Sequence, residues 1–280
     1  MYKKCYSKQL NENLHQIYLW DDKDGYSTFK WEDKMGFDGM YPYQKYLIEK
    51  YGYNNQPSEN HQILFFDLEC EMVSQFNEEG FKESKLESIV YYHQNTDEWV
   101  CLIVGDKNKI QSEIDGKKVI VFEDEFSLLK HFLIKLIEIE VDMLIGWNSD
   151  SFDIPYLYVR SKLLFGSEFV KLLSPIGIVK ESFDFNPQNP IQIYGVESID
   201  FMRIHKSVYV KEETSYKLDY IGEKYCGLKK IGYDGNLNHL YESDINKFIK
   251  YNFRDVEILV ELNKTLDYIP LILNISHRVK

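Results

Sequence analysis

Residues 61–70 read HQILFFDLEC, an apolar run that carries two carboxylates, Asp67 and Glu69, at alternate positions. A short unbroken run of aliphatic and aromatic residues is typical of a buried β-strand. Side chains alternate between the two faces of a strand, so both carboxylates share one face, about 6.6 Å apart along the backbone. Like charges on a buried strand raise each other's pKa unless cations such as Mg²⁺ or Mn²⁺ neutralise them. By itself the motif is weak, and a solvated pair on an edge strand is its more ordinary interpretation.

The segments that follow this strand predict an α/β domain. Three more strands are expected in SIVYYHQ, EWVCLIVG and KVIVFED, at residues 88–94, 98–105 and 118–124, as a mostly antiparallel meander. Residues 126–140 place apolar side chains at helical spacing, and VDMLIGW, residues 141–147, has the pattern of another buried strand. A meander joined to a β–α–β crossover predicts a mixed sheet covered by helices.

The second half of the chain predicts three helices and a pair of strands. The helices are expected at residues 153–166, with Pro155 in the first turn, at 215–227, and at 243–266. Ser243 is expected to open the last helix, with Asp244 in its first turn. The segment IQIYGVESID, residues 191–200, predicts a hairpin or a pair of edge strands.

Composition and charge exclude several classes of protein. The chain has 280 residues, 44% of them hydrophobic, and a formal net charge of −12. The longest apolar stretch, Phe132 to Ile145, is interrupted by charged residues, and no apolar stretch follows the first lysines, so neither a membrane span nor a secretory signal is expected. Because no secretory signal is expected, the protein is expected to be cytoplasmic. Its cysteines are expected to be reduced thiols, because their spacing fits neither a zinc site nor a disulfide framework: Cys5, Cys70, Cys101 and Cys226. The negative charge argues against a module that covers duplex DNA, yet it is compatible with an enzyme that gathers carboxylates around metal ions.

A second polar group lies in GWNSDSFDIPYL, residues 146–157. Asn148 stands where a strand is expected to end, and Asp153 follows Phe152 where a helix is expected to begin. A turn residue and a helix N-cap are the ordinary interpretations of these positions. In the functional interpretation, Asp153 faces the strand that carries Asp67, and Asn148 offers its amide to a ligand above the sheet.

A third group, Tyr251 and Asp255, lies in YNFRDVEIL on the last predicted helix. A spacing of four residues stacks both side chains on one helix face, about 6 Å apart. Either residue alone would be an ordinary helix side chain. The combination is specific, because each motif stands in the element where its chemistry requires it.

These three motifs resemble the proofreading 3′–5′ exonuclease region of family B DNA polymerases, particularly those of T-even-like bacteriophages. The resemblance extends from about residue 61 to the C-terminus and includes LLSPIGIVK, IYGVESIDFM and SYKLDYIGEKYCG. It implies a ribonuclease-H-like fold with a small β-rich N-terminal segment. The implied domains are the N-terminal segment at residues 1–60, the exonuclease at 61–268, and the start of a connection towards a polymerase palm at 269–280, with no palm motifs in the sequence.

The resemblance also implies site residues and cofactors. Two divalent cations, Mg²⁺ or Mn²⁺, would be held by four carboxylates: Asp67, Glu69, Asp153 and Asp255. Tyr251 makes this the tyrosine subtype, since Lys250 stands where the histidine subtype carries its base. Asn148 and Phe152 are the implied substrate-binding residues. Cys70 stands where the family usually has Thr or Val, on the opposite face of the strand, so no loss of chemistry is expected.

The implied function is removal of 3′-terminal nucleotides from single-stranded or frayed DNA by two-metal-ion hydrolysis, with Tyr251 orienting the attacking water. The implied partners are a single-stranded DNA 3′ end and a polymerase module in the same or a separate chain, with a sliding clamp as a further candidate and no membrane. The site of action would be the cytoplasm, that of a bacterial host if the protein is viral.

Two alternatives stay open: a free-standing exonuclease that trims RNA, and a non-catalytic N-terminal scaffold of a split replicase.

Overall fold

The computed structural model describes residues 61–73, 75, 77–182, 189–208 and 212–278. These residues belong to a compact unit that spans Glu59–Arg278. The small β-rich segment predicted for residues 1–60 lies outside the described residues, as do the last two residues of the predicted connection. Among the helices described, none is long and apolar enough to cross a membrane.

Seven strands of the described chain form one mixed sheet, and two more form a separate small sheet. In chain order the strands are β1 Ile63–Cys70, β2 Leu86–His93, β3 Glu98–Val104, β4 Glu113–Ile114, β5 Lys117–Phe122, β6 Met143–Gly146, β7 Val179–Glu181, β8 Ile191–Ile193 and β9 Glu197–Asp200. The order across the large sheet is β4-β5-β3-β2-β1-β6-β9. Strand β1 therefore lies inside the sheet, antiparallel to β2 and parallel to β6.

The expected antiparallel meander is correct for β1, β2 and β3 but wrong for β5, which pairs in parallel with β3. Residues 105–116 carry the chain back along β3 before β5 begins. The reversal is completed by a tight hairpin, because β4 pairs antiparallel with β5 across Asp115 and Gly116. Both turn residues have positive φ, 51° and 77°, as a two-residue hairpin turn requires.

Of the two alternatives predicted for residues 191–200, a hairpin or a pair of edge strands, the hairpin is wrong. Strand β8 pairs with β7 in the small sheet, whereas β9 joins β6 in parallel and forms an edge of the large sheet. Gly195, with a φ of 89°, lies between the two strands and separates their pairings. Alternation in a sequence identifies strands, but their partners depend on contacts that are distant in the chain.

Helices cover both faces of the large sheet. They are α1 Glu78–Glu83, α2 Glu125–Ile139, α3 Asp153–Phe165, α4 Ser167–Val170, α5 Phe201–Val208, α6 Leu218–Cys226, α7 Leu237–Ser243, α8 Ile245–Leu266 and α9 Tyr268–Arg278. Phe65 and Val90 pack in one apolar core with α8, and Leu64 and Phe66 pack in a second core with α2 and α3. The predicted α/β fold, a mixed sheet flanked by helices, is confirmed.

The N-cap of helix α8 lies one residue later than expected. The carboxylate of Asp244 caps it by accepting the Lys247 N–H at 3.0 Å. Ser243 is instead the last residue of α7, where its hydroxyl donates to the His239 carbonyl at 2.6 Å. The predicted N-cap at Ser243 is therefore wrong, because its hydroxyl already serves the preceding helix.

Candidate active site

Strand β1 presents Asp67 and Glu69 to the face of the sheet that α8 covers. The register places Glu69 beside Ser88 of β2. The Ser88 hydroxyl donates to the side-chain carbonyl of buried Asn252 on α8, at 3.2 Å. Residues at alternate positions of a strand share a face, so Asp67 and Glu69 both lie on the α8 side.

Three carboxylates converge between β1 and α8. Asp67, Glu69 and Asp255 each offer an oxygen atom within 4.8 Å of the other two. Within the part of the chain that the structure describes, no other group of three or more such side chains is close enough to share a metal ion. Asp255 is 1% exposed, whereas the two carboxylates of β1 are partly accessible to solvent. The cluster thus opens towards solvent on its β1 side.

Asp153 lies against the same strand but is not a member of this group of three. It is the first residue of α3, it is 3% exposed, and its carboxylate accepts the backbone N–H of Leu68 in β1. Strand β6 pairs with β1 over Ile63–Phe65, so Asp153 meets β1 beyond the end of that pairing. Its negative charge acts on both Asp67 and Glu69.

Lys230 is a site residue that the sequence did not reveal. Its ammonium group lies 2.5 Å from Asp255 Oδ2 and donates to the Tyr251 hydroxyl at 2.9 Å. The backbone N–H of Lys230 donates to the Asp219 carboxylate at 2.7 Å, which holds the loop after α6 over the site. The neighbouring Lys229 forms an ion pair with Glu223 instead. Two consecutive lysines in a loop have no periodicity that could distinguish the inward one.

Burial and mutual repulsion raise the pKa of every carboxylate in the site. The pKa values of Asp67 and Glu69 are raised well above their ordinary range, first by burial and then by the negative charge of Asp255. Burial raises the pKa of Asp153 to about 7 and that of Asp255 to about 6, although Lys230 opposes the shift in Asp255. One oxygen of Asp255, Oδ1, has no hydrogen-bond partner among the described residues. The site therefore has an excess of negative charge that bound cations would relieve.

This repulsion predicts a stability effect that depends on pH. Glu69→Gln should raise the melting temperature in EDTA at pH 8 by about 2–4 °C, the shift that about 1 kcal/mol produces in a protein of this size. Between the unfolded pKa of about 4.3 and the raised folded pKa, the folded protein binds more protons, so its stability falls as the pH rises through this window. The glutamine variant lacks this loss, and its advantage should vanish towards pH 4.

Glu138→Gln is the matched control, because Glu138 is exposed on α2 and the substitution removes the same charge. Its melting temperature should follow that of the unmodified protein at each pH. If Glu69→Gln melted at a lower temperature at pH 8, Glu69 would be a structural partner rather than a source of repulsion.

Tyr251 lies one helical turn before Asp255 and is 7% exposed. Its pKa is raised, first by burial and then by the charge of Asp255, so the side chain is a neutral phenol at physiological pH. The hydroxyl also bonds to the Asp255 carboxylate, and the ring of Tyr233 packs edge-on against it at 5.3 Å. Tyr251 is thus fixed in place by contacts on several sides.

An open pocket of about 490 Å³ adjoins the carboxylates. It is lined by Asp67, Trp147, Asn148, Met202, Tyr216, Lys217, Leu218, Asp219 and Lys230. Of the two substrate-binding residues implied by the resemblance, Asn148 therefore belongs to the pocket. Phe152 is half-buried, and it packs edge-on against Phe81 and stacks on Tyr156 outside the pocket lining.

Comparisons with known proteins agree with the motifs. The family described as DNA polymerase family B, exonuclease domain, matches residues 40–221. The DNA-directed DNA polymerase of Escherichia phage RB69 is 27% identical over 263 residues, 84% of this chain and 29% of that protein. The DNA-directed DNA polymerase of Enterobacteria phage T4 is 29% identical over 173 residues, 61% of this chain and 19% of that protein. DNA polymerase 1 of Sulfolobus acidocaldarius is 34% identical over 160 residues, 56% of this chain and 17% of that protein.

The chain thus spans less than a third of the length of these curated relatives. The family match covers 182 of its residues, from 40 to 221, which is more than half of the 280-residue chain and includes the motifs around Asp67 and Asp153. Tyr251 and Asp255 follow the matched span and are brought to it by α8. On this match over most of its length, the chain belongs to the exonuclease-domain family of the family B DNA polymerases.

Proposed function

We propose that this chain is the proofreading 3′–5′ exodeoxyribonuclease part of a family B DNA polymerase, and that it removes terminal nucleotides from single-stranded or frayed 3′ ends. The observation that carries the proposal is the convergence of Asp67, Glu69 and Asp255 within 4.8 Å beside an open pocket. The polymerases found as relatives of the chain support the choice of DNA as the substrate.

The residues of the site suit two divalent cations such as Mg²⁺ or Mn²⁺. Their donors are carboxylate oxygens without a histidine or cysteine partner, which favours hard cations over zinc. Asp67, Glu69 and Asp255 would hold the cations, with Asp153 as the fourth carboxylate. When bound, the cations supply the charge that activates water and stabilises the leaving 3′ oxygen. The partnerless Oδ1 of buried Asp255 supports this fit.

Tyr251 would orient the attacking water through its hydroxyl. A hydroxyl has one proton and two lone pairs. Lys230 donates to one lone pair, and the proton can serve the Asp255 carboxylate, so the second lone pair remains for a water molecule. Because the raised pKa keeps Tyr251 neutral, it acts by orientation and not by removing a proton.

The pocket beside the carboxylates would receive the 3′-terminal nucleotide. Trp147 and Tyr216 supply aromatic surface in its lining, and such surface stacks on bases without sequence preference. The Trp147 indole N–H donates to the Tyr216 carbonyl at 2.9 Å, which fixes the two residues together. Asn148 lies in the same lining and offers its amide to the sugar or phosphate.

The negative net charge is compatible with a DNA substrate that a separate polymerase module delivers. A surface with a charge of −12 repels DNA at long range, so a 3′ end would arrive from a polymerase module in the same or a separate chain. A sliding clamp would act through that module. The phage relatives support the cytoplasm of a bacterial host as the place of action.

Incubation with DNA tests this proposal directly. The chain with Mg²⁺ should shorten a 5′-labelled single strand progressively from its 3′ end, and EDTA should stop the reaction. An RNA strand of the same sequence is the comparison, because faster trimming of RNA would support a ribonuclease instead. Early release of the labelled 5′ nucleotide, or no shortening with either Mg²⁺ or Mn²⁺, would refute the proposal.

A further inference from the structure

The loop between β6 and α3, residues 147–152, connects the pocket to the carboxylates. Asn148 adopts a φ of 61°, a left-handed conformation that is uncommon outside glycine. Its carbonyl oxygen accepts the N–H groups of Ser151 and Phe152, both at 3.1 Å. The next residue is Asp153, the first residue of α3. The peptide position of Asn148 therefore sets where α3 begins.

Asp200, the last residue of β9, holds that loop from the other side. It pairs with Gly146 at the end of β6 and is 3% exposed. Its Oδ1 accepts the N–H of Asn148 at 2.9 Å, that of Met202 at 2.9 Å and that of Arg203 at 3.4 Å. A single carboxylate oxygen thus links the loop to the first turn of α5.

Asp150 links the loop to the same two elements, β9 and α5, but with its own carboxylate as the acceptor. It lies in the loop, is 2% exposed, and accepts the Ser198 hydroxyl of β9 at 2.8 Å and the Arg203 guanidinium of α5 at 2.5 Å. Arg203 provides a positive charge for Asp150. Asp200 receives only backbone N–H groups, and its Oδ2 has no hydrogen-bond partner among the residues described. These hydrogen bonds of the Asp200 side chain therefore all depend on one acceptor oxygen, which an asparagine can also supply.

We propose that Asp200 is a positioning residue of the exonuclease site, which holds Asn148 at the pocket and, through it, Asp153 at the carboxylates. This inference rests on the proposed exonuclease function. Asp200 is not among the residues that line the pocket. It acts through the loop. The Asp200 carboxylate holds the left-handed backbone of Asn148 in place, and the Asn148 carbonyl in turn holds the N–H groups of Ser151 and Phe152, the residues just before Asp153.

Loss of this link should affect both substrate binding and turnover. A displaced Asn148 weakens binding in the pocket, and a displaced Asp153 weakens catalysis. Since a shift of about 1 Å at a catalytic group can cost about a hundredfold in rate, Asp200→Ala should lower kcat about tenfold to a hundredfold and raise KM. Asp200→Asn should recover most of both losses, because its amide oxygen can accept the same N–H groups.

Asp124→Ala is the matched control. Asp124 caps α2 by accepting the Ser127 N–H at 2.7 Å, so its loss removes a helix cap on the face of the sheet opposite to α8. If Asp200 were only a helix cap, Asp200→Ala and Asp124→Ala would both lower the melting temperature and leave kcat and KM unchanged. That result would overturn the proposal. A variant Asp200→Asn that stayed as impaired as Asp200→Ala would overturn it as well.

Amide hydrogen exchange separates this inference from the proposed function. Residues 147–152 should exchange faster in Asp200→Ala than in the unmodified protein, and their exchange should be unchanged in Asp124→Ala. This measurement needs no nuclease activity. Absence of activity in the unmodified chain would refute the proposed function, whereas unchanged exchange in Asp200→Ala would refute the positioning role.

Discussion

Asp67→Asn is expected to lower the turnover number for 3′-end hydrolysis by about a thousandfold or more while leaving the fold intact. The charge of Asp67 interacts with those of the other three carboxylates, since the pKa of Asp67 is raised by Asp255, Glu69 and Asp153 after burial. Asparagine keeps the shape of the side chain but removes the negative oxygen. Charge stabilisation of a phosphoryl transition state by bound cations contributes several kcal/mol, and each 1.36 kcal/mol is about a factor of ten in rate.

The measurement pairs activity with metal binding. Calorimetric titration with Mn²⁺ should show a weakened or missing site in Asp67→Asn, and the circular dichroism spectrum should be unchanged. Asp106→Asn is the control, because Asp106 is exposed in the turn after β3 and the substitution is chemically the same. Turnover of Asp67→Asn within tenfold of the unmodified chain would mean that the reaction takes place elsewhere.

The parts of this site that could be predicted from the sequence are those encoded locally. Alternation along β1 is sufficient to place Asp67 and Glu69 on one face, and a spacing of four residues is sufficient to stack Tyr251 above Asp255. The face of α8 that packs on the sheet follows from its apolar residues, so the meeting of the two motifs follows as well.

The remaining parts depend on contacts between segments that are distant in the sequence. Lys230 lies in a loop, and only the packing of that loop against α8 turns its ammonium group towards Asp255. The role of Asp200 could not be predicted either, because an aspartate at the end of a strand has the same sequence pattern as a cap for the next helix. The parallel pairings of β5 and β9 were also missed, since strand patterns carry no information about the direction of the partner.

Tyr251→Phe is expected to lower the turnover number by about tenfold to a thousandfold, the range for loss of one oriented hydrogen bond to the reacting groups. The phenyl ring keeps its packing against Tyr233, so the change is confined to the hydroxyl. Binding of Mn²⁺ should be nearly unchanged, because the carboxylates are all retained. Asp255→Ala differs in kind, since it removes a carboxylate of the group of three and should abolish both metal binding and turnover.

Tyr233→Phe is the matched control for Tyr251→Phe. It removes a tyrosine hydroxyl from the neighbouring ring while the edge-on contact between the two rings is preserved. Its turnover should stay within about twofold of the unmodified chain, because the hydrogen bonds that join Tyr251, Lys230 and Asp255 do not involve the Tyr233 hydroxyl. An equal loss in both variants would indicate that ring packing, and not the Tyr251 hydroxyl, supports catalysis.

The dependence on pH distinguishes orientation of water from proton removal by Tyr251. Burial and the Asp255 charge raise the pKa of Tyr251, so the phenol stays protonated throughout pH 6 to 9. The ratio of turnover numbers between the unmodified chain and Tyr251→Phe should therefore be constant over this range, although both rates rise as the carboxylates of the site lose the protons that compete with metal ions. A ratio that grew steadily with pH would identify a reactive phenolate and contradict the orienting role, since only the ionised form could then supply the lost rate.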